Sequence, residues 1–295
     1  MKGAIALVSA RAARALDEDM PPLIGAFAAA GVRAEIADWD DEAVDWAAYD
    51  AALLRSAWDY TERLPQFLSW VERTASLTRL LNPAAVVRWN ADKHYLLELA
   101  AAGVPIVPST FAEPGAQEAQ VLGKFLGEHA CAELVVKPAV GAGSRDARRH
   151  PSSARQEILG HMRALLSGGR SLMLQPYLEA VDHHGETALI FIAGAFSHAV
   201  RKGPLLPPGA ASTTQLFAAE TIQLRAPGAD ELAVARRVLA LLPFGELLYA
   251  RVDLIRGPHG EPRLLELELA EPSLFLAHAP GSAALLARAL LARLH

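Results

Sequence analysis

Short apolar runs alternate with longer amphipathic stretches along the first third of the chain. Residues 4–9, AIALVS, are the run expected of a strand buried on both faces. A helix follows, with Asp19 at the cap position, Pro21 and Pro22 in the first turn and Gly31 closing it. Strands are predicted over 33–37 and 51–55, and strand–helix–strand with short links begins a parallel sheet. Leu81-Asn82-Pro83 reads as a turn or strand end, and Asn90 as the cap of a helix running to Ala102. Lys93 then falls in the first helical turn, where a cation opposes the helix dipole at a cost of up to ~1 kcal/mol. It is either a surface residue offset by Asp92 or a cation placed to reach an anion.

A second unit starts near residue 111. It carries a predicted helix over 117–130, a strand over 133–137, a helix over 154–167 and a strand over 171–175, with a hinge at 175–179. Residues 186–193 and 195–202 form a hairpin around Gly194. A loop rich in Pro and Gly follows over 203–212, then a helix over 228–242, and a closing helix occupies 281–295.

The most regular alternation lies late in the chain. Tyr249, Arg251 and Asp253 alternate with Ala250, Val252 and Leu254; after the turn GPHGEP, Glu266 and Glu268 alternate with Leu265, Leu267 and Leu269. These are predicted as two half-buried paired strands. Pairing Arg256 with Arg263 sets Asp253 opposite Glu266 and Arg251 opposite Glu268. Opposed carboxylates repel. Either a hard cation such as Mg²⁺ sits among them, with phosphate and water completing its shell, or the face is solvated and Arg251 is the local counter-ion.

Composition narrows the class. With 295 residues, 52% of them hydrophobic, the chain can bury a large core, and its length fits about two domains. A net charge of −5 without a basic block argues against nucleic acid as a partner. Cys131 is the only cysteine, so no internal disulfide forms, and its alanine neighbours make it a small buried residue rather than a nucleophile. The opening MKGAIALVSA is too short an apolar run for a secretory leader, and later apolar stretches are interrupted too early to span a bilayer. The expectation is a soluble, cytoplasmic α/β protein.

Candidate chemistry gathers at two further places. Arg55, Trp58 and Asp59 follow the third predicted strand, and ligands of open α/β sheets sit at the carboxyl ends of strands. They form either a substrate half-site or an amphipathic turn with Trp58 packed inward. Lys137 precedes Gly141-Ala142-Gly143-Ser144, small residues whose amides can approach a phosphate. The loop is neither a P-loop nor GxGxxG. Lys137 is a phosphate-holding cation or an exposed lysine at a strand end, and His198 a base or a structural histidine.

Taken in order, Lys93, Lys137 before GAGSR, QPYLE, Gly185-Glu186-Thr187, SHAVRK and Arg251-x-Asp253 with Glu266-x-Glu268 resemble the ATP-grasp superfamily over nearly the whole chain. The glycine-rich loop and the acidic pair are similar to those of glutathione synthetase and D-alanine–D-alanine ligase, which commonly carry Asn where this chain has Glu268. RSAWDY, NPAAVVRWNADKHYL and FSHAVRK are similar to the branch whose cyclo-ligase closes O-ureido-D-serine into D-cycloserine, an antibiotic biosynthesis step.

That resemblance implies an α/β and α+β architecture, the ATP-grasp fold. A Rossmann-like pre-ATP-grasp domain would occupy 1–90, a small lid lobe 91–178, and a C-terminal lobe with the metal site 179–295. Lys93 and Lys137 would bind ATP phosphates beneath a lid loop containing Gly141, Gly143 and Ser144. Gln175 and the backbone near Leu178 would read adenine, and Glu186 the ribose. Asp253, Glu266 and Glu268 would hold Mg²⁺, with Arg201 and Arg251 facing the phosphoryl group in flight. The substrate would lie near Arg55, Trp58, Asp59 and Ser273. The implied activity is ATP- and Mg²⁺-dependent carboxylate–amine ligation through an acyl phosphate on a small amino-acid-like molecule, by ring closure in the D-cycloserine branch. The alternatives are an amide-forming ligase joining two small molecules, a kinase that stops at a phosphorylated product, and a non-catalytic nucleotide-binding regulator. Relatives in the superfamily are often homodimers.

Overall fold

A computed structural model of the chain describes residues 3–206 and 221–294. Most of the loop expected over 203–212 lies outside them, as does the last residue of the expected closing helix.

The first sheet is built from β1 (Ala4–Ser9), β2 (Arg33–Asp38), β3 (Ala51–Ser56) and β4 (Arg79–Leu81), all parallel, in the order β2-β1-β3-β4. Helix α1 (Met20–Ala29) starts after Asp19 as predicted, with proline in its first turn, but the Asp19 side chain makes no cap bond. Helix α2 (Leu64–Leu77) was not foreseen from the sequence. Its buried Phe67, Trp70, Val71 and Thr74 have helical spacing, yet Arg63 stands at the cap position without a capping side-chain bond.

In the span predicted as a helix from Asn90 to Ala102 only α4 (Tyr95–Ala101) is helical, and an unpredicted helix, α3 (Ala84–Asn90), precedes it. Asn90 closes the first instead of capping a long one. Its side chain is spent on the last strand of the chain's large sheet, donating to the Leu267 carbonyl at 2.8 Å and accepting from the Leu269 amide at 2.6 Å. Lys93 therefore lies in the turn between the two helices, outside the first turn of either.

The second sheet holds β5 (Thr110–Ala112), β6 (Glu133–Pro138), β7 (Arg148–Pro151) and β8 (Leu172–Pro176), antiparallel in the order β5-β8-β6-β7. Helices α5 (Glu118–Glu128) and α6 (Arg155–Ser167) pack on one face through Leu122, Phe125, Ile158 and Met162. Cys131 is half-buried rather than fully buried; its carbonyl accepts the Ser152 hydroxyl at 2.7 Å.

After α7 (Ala180–His184) come β9 (Glu186–Ile192), β10 (Ala195–Lys202), β11 (Ile222–Leu224), α8 (Ala229–Ala240), β12 (Tyr249–Arg256) and β13 (Pro262–Glu268). The strands form an antiparallel sheet in the order β11-β10-β9-β12-β13. The closing helix α9 (Ser282–Ala292) packs against α1, so Leu286 and Leu290 share a core with Leu23, Phe27 and Ile190. Helix α4 likewise packs on the large sheet, with Tyr95, Leu96 and Leu99 in one cluster with Leu189, Val252 and Leu267. No helix among the described residues is long and apolar enough to cross a membrane.

Candidate active site

Strand alternation divides the large sheet. On one face Leu189, Val252, Leu254 and Leu267 meet α4 and α8. The other face is apolar at one end, where Ile190, Ile192 and Val200 join the core under α9. At its other end the same face becomes polar, with Glu186, Lys202, Arg251, Asp253, Glu266 and Glu268. There the second sheet lies across it, and between them is a cavity of about 620 Å³.

In β12 and β13 the pairs Asp253–Glu266 and Arg251–Glu268 are as predicted, but the register at the tip is not. Arg256 faces Pro262 and Ile255 faces Arg263, one residue off, and a bulge at Leu265 restores the register before Glu266. The bulge turns Leu265 to the cavity side, alongside Glu266, instead of leaving it with Leu267. These strands are also more buried than the predicted half-buried hairpin: Arg251 is 5% and Asp253 1% exposed. The face is thus not a solvated one.

Each carboxylate of the predicted metal set meets a protein cation. Arg251 grips Asp253 with two bonds of 2.9 Å, also reaches Glu268, and donates to the Ser273 carbonyl at 3.1 Å. Lys202 lies 3.2 Å from Asp253 and 3.1 Å from Glu186, and Lys93 3.0 Å from Glu266. Burial pushes the carboxyls of Asp253 and Glu266 up, but these cations hold both below their ordinary values. Glu268 has no such balance: burial, with Glu266 and Asp253 nearby, takes it up to about 8 despite Arg251. Glu271 is pushed by burial up to about 7, although the Tyr60 hydroxyl donates to it. No group of three or more His, Cys, Asp or Glu side chains is arranged to hold a metal among the described residues. Glu266 and Glu268 nevertheless supply hard oxygen donors on the cavity wall, and Mg²⁺ needs only one or two protein carboxylates when phosphates provide the rest.

The facing sheet brings its own groups. Val135 and Lys137 of β6 share a face with Gln175 of β8, because Val135 pairs with Gln175. The Lys137 ammonium has no hydrogen-bond or ion-pair partner among the described residues, and burial lowers its pKa, with Glu266 pulling the other way. The loop after it runs along the cavity through Gly141, Gly143 and Ser144, with Gly143 and Ser144 at positive φ. Lys93 anchors that loop, its ammonium donating to the Gly141 carbonyl at 2.6 Å and its amide to the Ala139 carbonyl at 3.1 Å. Arg145 ties the loop to Glu62, in the segment between β3 and α2. At the far end Val107, Leu178, Ile255 and Leu265 form an apolar slot beside the Gln175 amide, which donates to the Ser109 hydroxyl at 2.9 Å.

Other expected residues lie elsewhere. Arg201 is on the opposite face, its guanidinium donating to the carbonyls of His184 and His183 at 2.8 and 3.1 Å. A bulge at Ser197 in β10 is the reason: without it Arg201 would pair with Glu186, and with it Lys202 does. Arg55 is fully buried behind the wall, 2.9 Å from Asp19 and 2.9 Å from the Pro272 carbonyl. Asp59 turns away, accepting from Trp39 at 2.8 Å and Arg63 at 2.6 Å. Trp58 and Ser273 do line the cavity. His198 is held at both nitrogens, by Ser197 at 3.0 Å and the Leu274 carbonyl at 2.8 Å, the structural arrangement. Among the lining residues that sequence patterns do not assign to the site are Lys202, hidden by the bulge; Glu271, which follows the end of the alternation; and Asp17, in the loop after β1.

Comparison with known proteins follows the same outline. Residues 5–82 match the family model described as D-cycloserine synthetase DcsG, N-terminal domain. The cycloserine biosynthesis protein DcsG of Streptomyces lavendulae is 41% identical over 301 residues, covering 99% of both sequences. The crystal structure of a D-cycloserine synthetase DcsG superposes with a TM-score of 0.93 at 41% identity, over 99% of this chain and 100% of that one. A RimK domain protein ATP-grasp from Sphaerobacter thermophilus DSM 20745 shares the fold, with a TM-score of 0.65 at 21% identity over 96% of this chain and 98% of its own.

Proposed function

The chain belongs to the D-cycloserine synthetase family of ATP-grasp ligases, and from that premise we propose that it closes O-ureido-D-serine, or a near relative, into a ring through an acyl phosphate. One observation carries the reading: the half-buried Lys137 ammonium, without a hydrogen-bond or ion-pair partner among the described residues, faces Glu266, Glu268 and Arg251 across one cavity. A cation in that position suits the polyphosphate of ATP. Glu266 and Glu268 would hold Mg²⁺, which would supply positive charge against the phosphates there.

A carboxylate cannot expel oxide, so phosphorylation is what makes it an acceptor. Arg251 faces the cavity with its guanidinium fixed by Asp253, placed to stabilise the phosphoryl group in transfer. Lys137 and Lys93 would orient the γ-phosphate, and the Gly141–Ser144 loop, tied to the N-terminal domain through Arg145, would keep water from the acyl phosphate. Attack by the oxygen-bound ureido nitrogen would form the ring carbon–nitrogen bond as the carbon–oxygen bond to phosphate breaks; phosphate leaves, the nitrogen's proton passes to solvent, and hydrolysis of the remaining carbamoyl group, as carbon dioxide and ammonia, frees the ring nitrogen. Holding the two ends of one molecule together supplies much of the rate.

The test uses O-ureido-D-serine labelled with ¹⁸O in its carboxylate. Phosphate released in a Mg²⁺-dependent reaction should carry one labelled oxygen. Unlabelled phosphate accompanying ring formation would remove the acyl phosphate from the account.

A further inference from the structure

The cavity is electrically divided. Lys93, Lys137, Lys202 and Arg251 stand on the walls contributed by the second and third sheets and the α3–α4 turn. The wall from the N-terminal domain brings Asp17, Glu18 and Asp19 to the cavity and, among the described residues, no lysine or arginine.

These three carboxylates are not alike. Asp19 is saturated by Arg55 at 2.9 Å and by the amides of Leu274 and Leu276, each at 2.6 Å. The Glu18 side chain is 80% exposed and 3.9 Å from His278. Asp17 is only 5% exposed. Its Oδ1 accepts the Asp19 amide at 3.0 Å and the Ser56 hydroxyl stands near the carboxyl, but no hydrogen bond reaches Oδ2. An orphaned carboxylate oxygen in a protein interior is costly, and a donor arriving with a ligand removes that cost. Burial raises the Asp17 pKa more than nearby Arg55 lowers it, and a cationic ligand would act in the same direction as Arg55.

We propose that Asp17 anchors a primary ammonium group on the carboxylate substrate, so that the site selects zwitterionic amino acids. The molecule would lie with its ammonium toward the N-terminal wall and its carboxylate toward Arg251. The inference deepens the ligase reading and rests on it; O-ureido-D-serine carries both groups.

Two ligands and one substitution test it. Binding of O-ureido-D-serine and of its counterpart lacking the amino group is measured by calorimetry with a non-hydrolysable ATP analogue present. Asp17→Asn is the variant, because its side-chain oxygen can still accept the Asp19 amide. The expected result is a ~10- to 100-fold loss of O-ureido-D-serine affinity in Asp17→Asn. The des-amino ligand should bind wild type weakly and the variant no worse. If wild type binds both ligands equally, or if the variant loses both alike, Asp17 is not the anchor; the wild-type comparison decides this even should the variant fail to fold. Ring formation by wild type keeps the ligase reading intact in that event. Should wild type ignore O-ureido-D-serine, the cyclisation reading falls, and the same pair of comparisons on whichever amino acid drives ADP release decides Asp17.

Discussion

A cation drawn partly out of water without an anionic partner is costly, and the half-buried Lys137 ammonium has no hydrogen-bond or ion-pair partner among the described residues. Lys137→Ala should therefore leave the melting temperature unchanged or higher while reducing ATP-dependent turnover by at least ~100-fold, as loss of a phosphate-site cation does. Differential scanning calorimetry beside an ADP-release assay checks both halves; a variant that melts lower and turns over normally would contradict the assignment. Asp253 behaves differently. It neutralises both Arg251 and Lys202, so Asp253→Asn would disturb folding as well as chemistry. Glu271 gives the residue scale a pH signature. Its folded value of about 7 stands above the 4.5 of an ordinary glutamate, because burial disfavours its charge. The stabilisation linked to its proton is full below about 4.5 and is lost as pH rises to about 7. Melting temperature followed over that window should fall less steeply in Glu271→Gln than in wild type. Equal slopes would show that Glu271 titrates normally.

At the scale of elements, two single-residue bulges decide which side chains meet the cavity. Strand positions were legible from apolar runs: β1 occupies the predicted 4–9, and the strands flanking Gly194 lie within a residue or so of expectation. Facing was less legible, because period-two counting fails at each bulge. The bulge at Ser197 exchanges Arg201 for Lys202, and that at Leu265 adds a leucine to the cavity wall while preserving the Asp253–Glu266 pairing. Lys202→Ala should accordingly reduce turnover by ~100-fold or more, since the cation faces the site. Arg201→Ala should lower thermal stability by releasing the His183 and His184 carbonyls, with kcat within about threefold of wild type, the size of effect left to residues distant from the chemistry. Steady-state kinetics and thermal melts of both variants would show the opposite pattern if Arg201 were the residue facing the phosphates.

For the whole molecule, the cavity exists only because three sheets converge on it. Asp17 and Tyr60 come from the segments that follow β1 and β3 of the first, Lys137 and Gln175 from the second, and Lys202, Arg251 and Glu266 from the third. The interlocking is extensive: α9 joins the N-terminal core to the large sheet, and the Tyr249 hydroxyl donates to the Ala270 carbonyl at 2.7 Å beneath Leu54 and Leu81. Ordered motifs made the family legible, because each local pattern survives in the chain. The orphaned oxygen of Asp17 and the proton affinity of Glu271 were not legible, since both arise from burial between segments far apart in sequence. The most direct measurement is product analysis by mass spectrometry after incubating the protein with ATP, Mg²⁺ and O-ureido-D-serine. The account predicts ADP, phosphate and the cyclised product, all absent without Mg²⁺. ADP release accompanied only by a phosphorylated or unchanged substrate would contradict it.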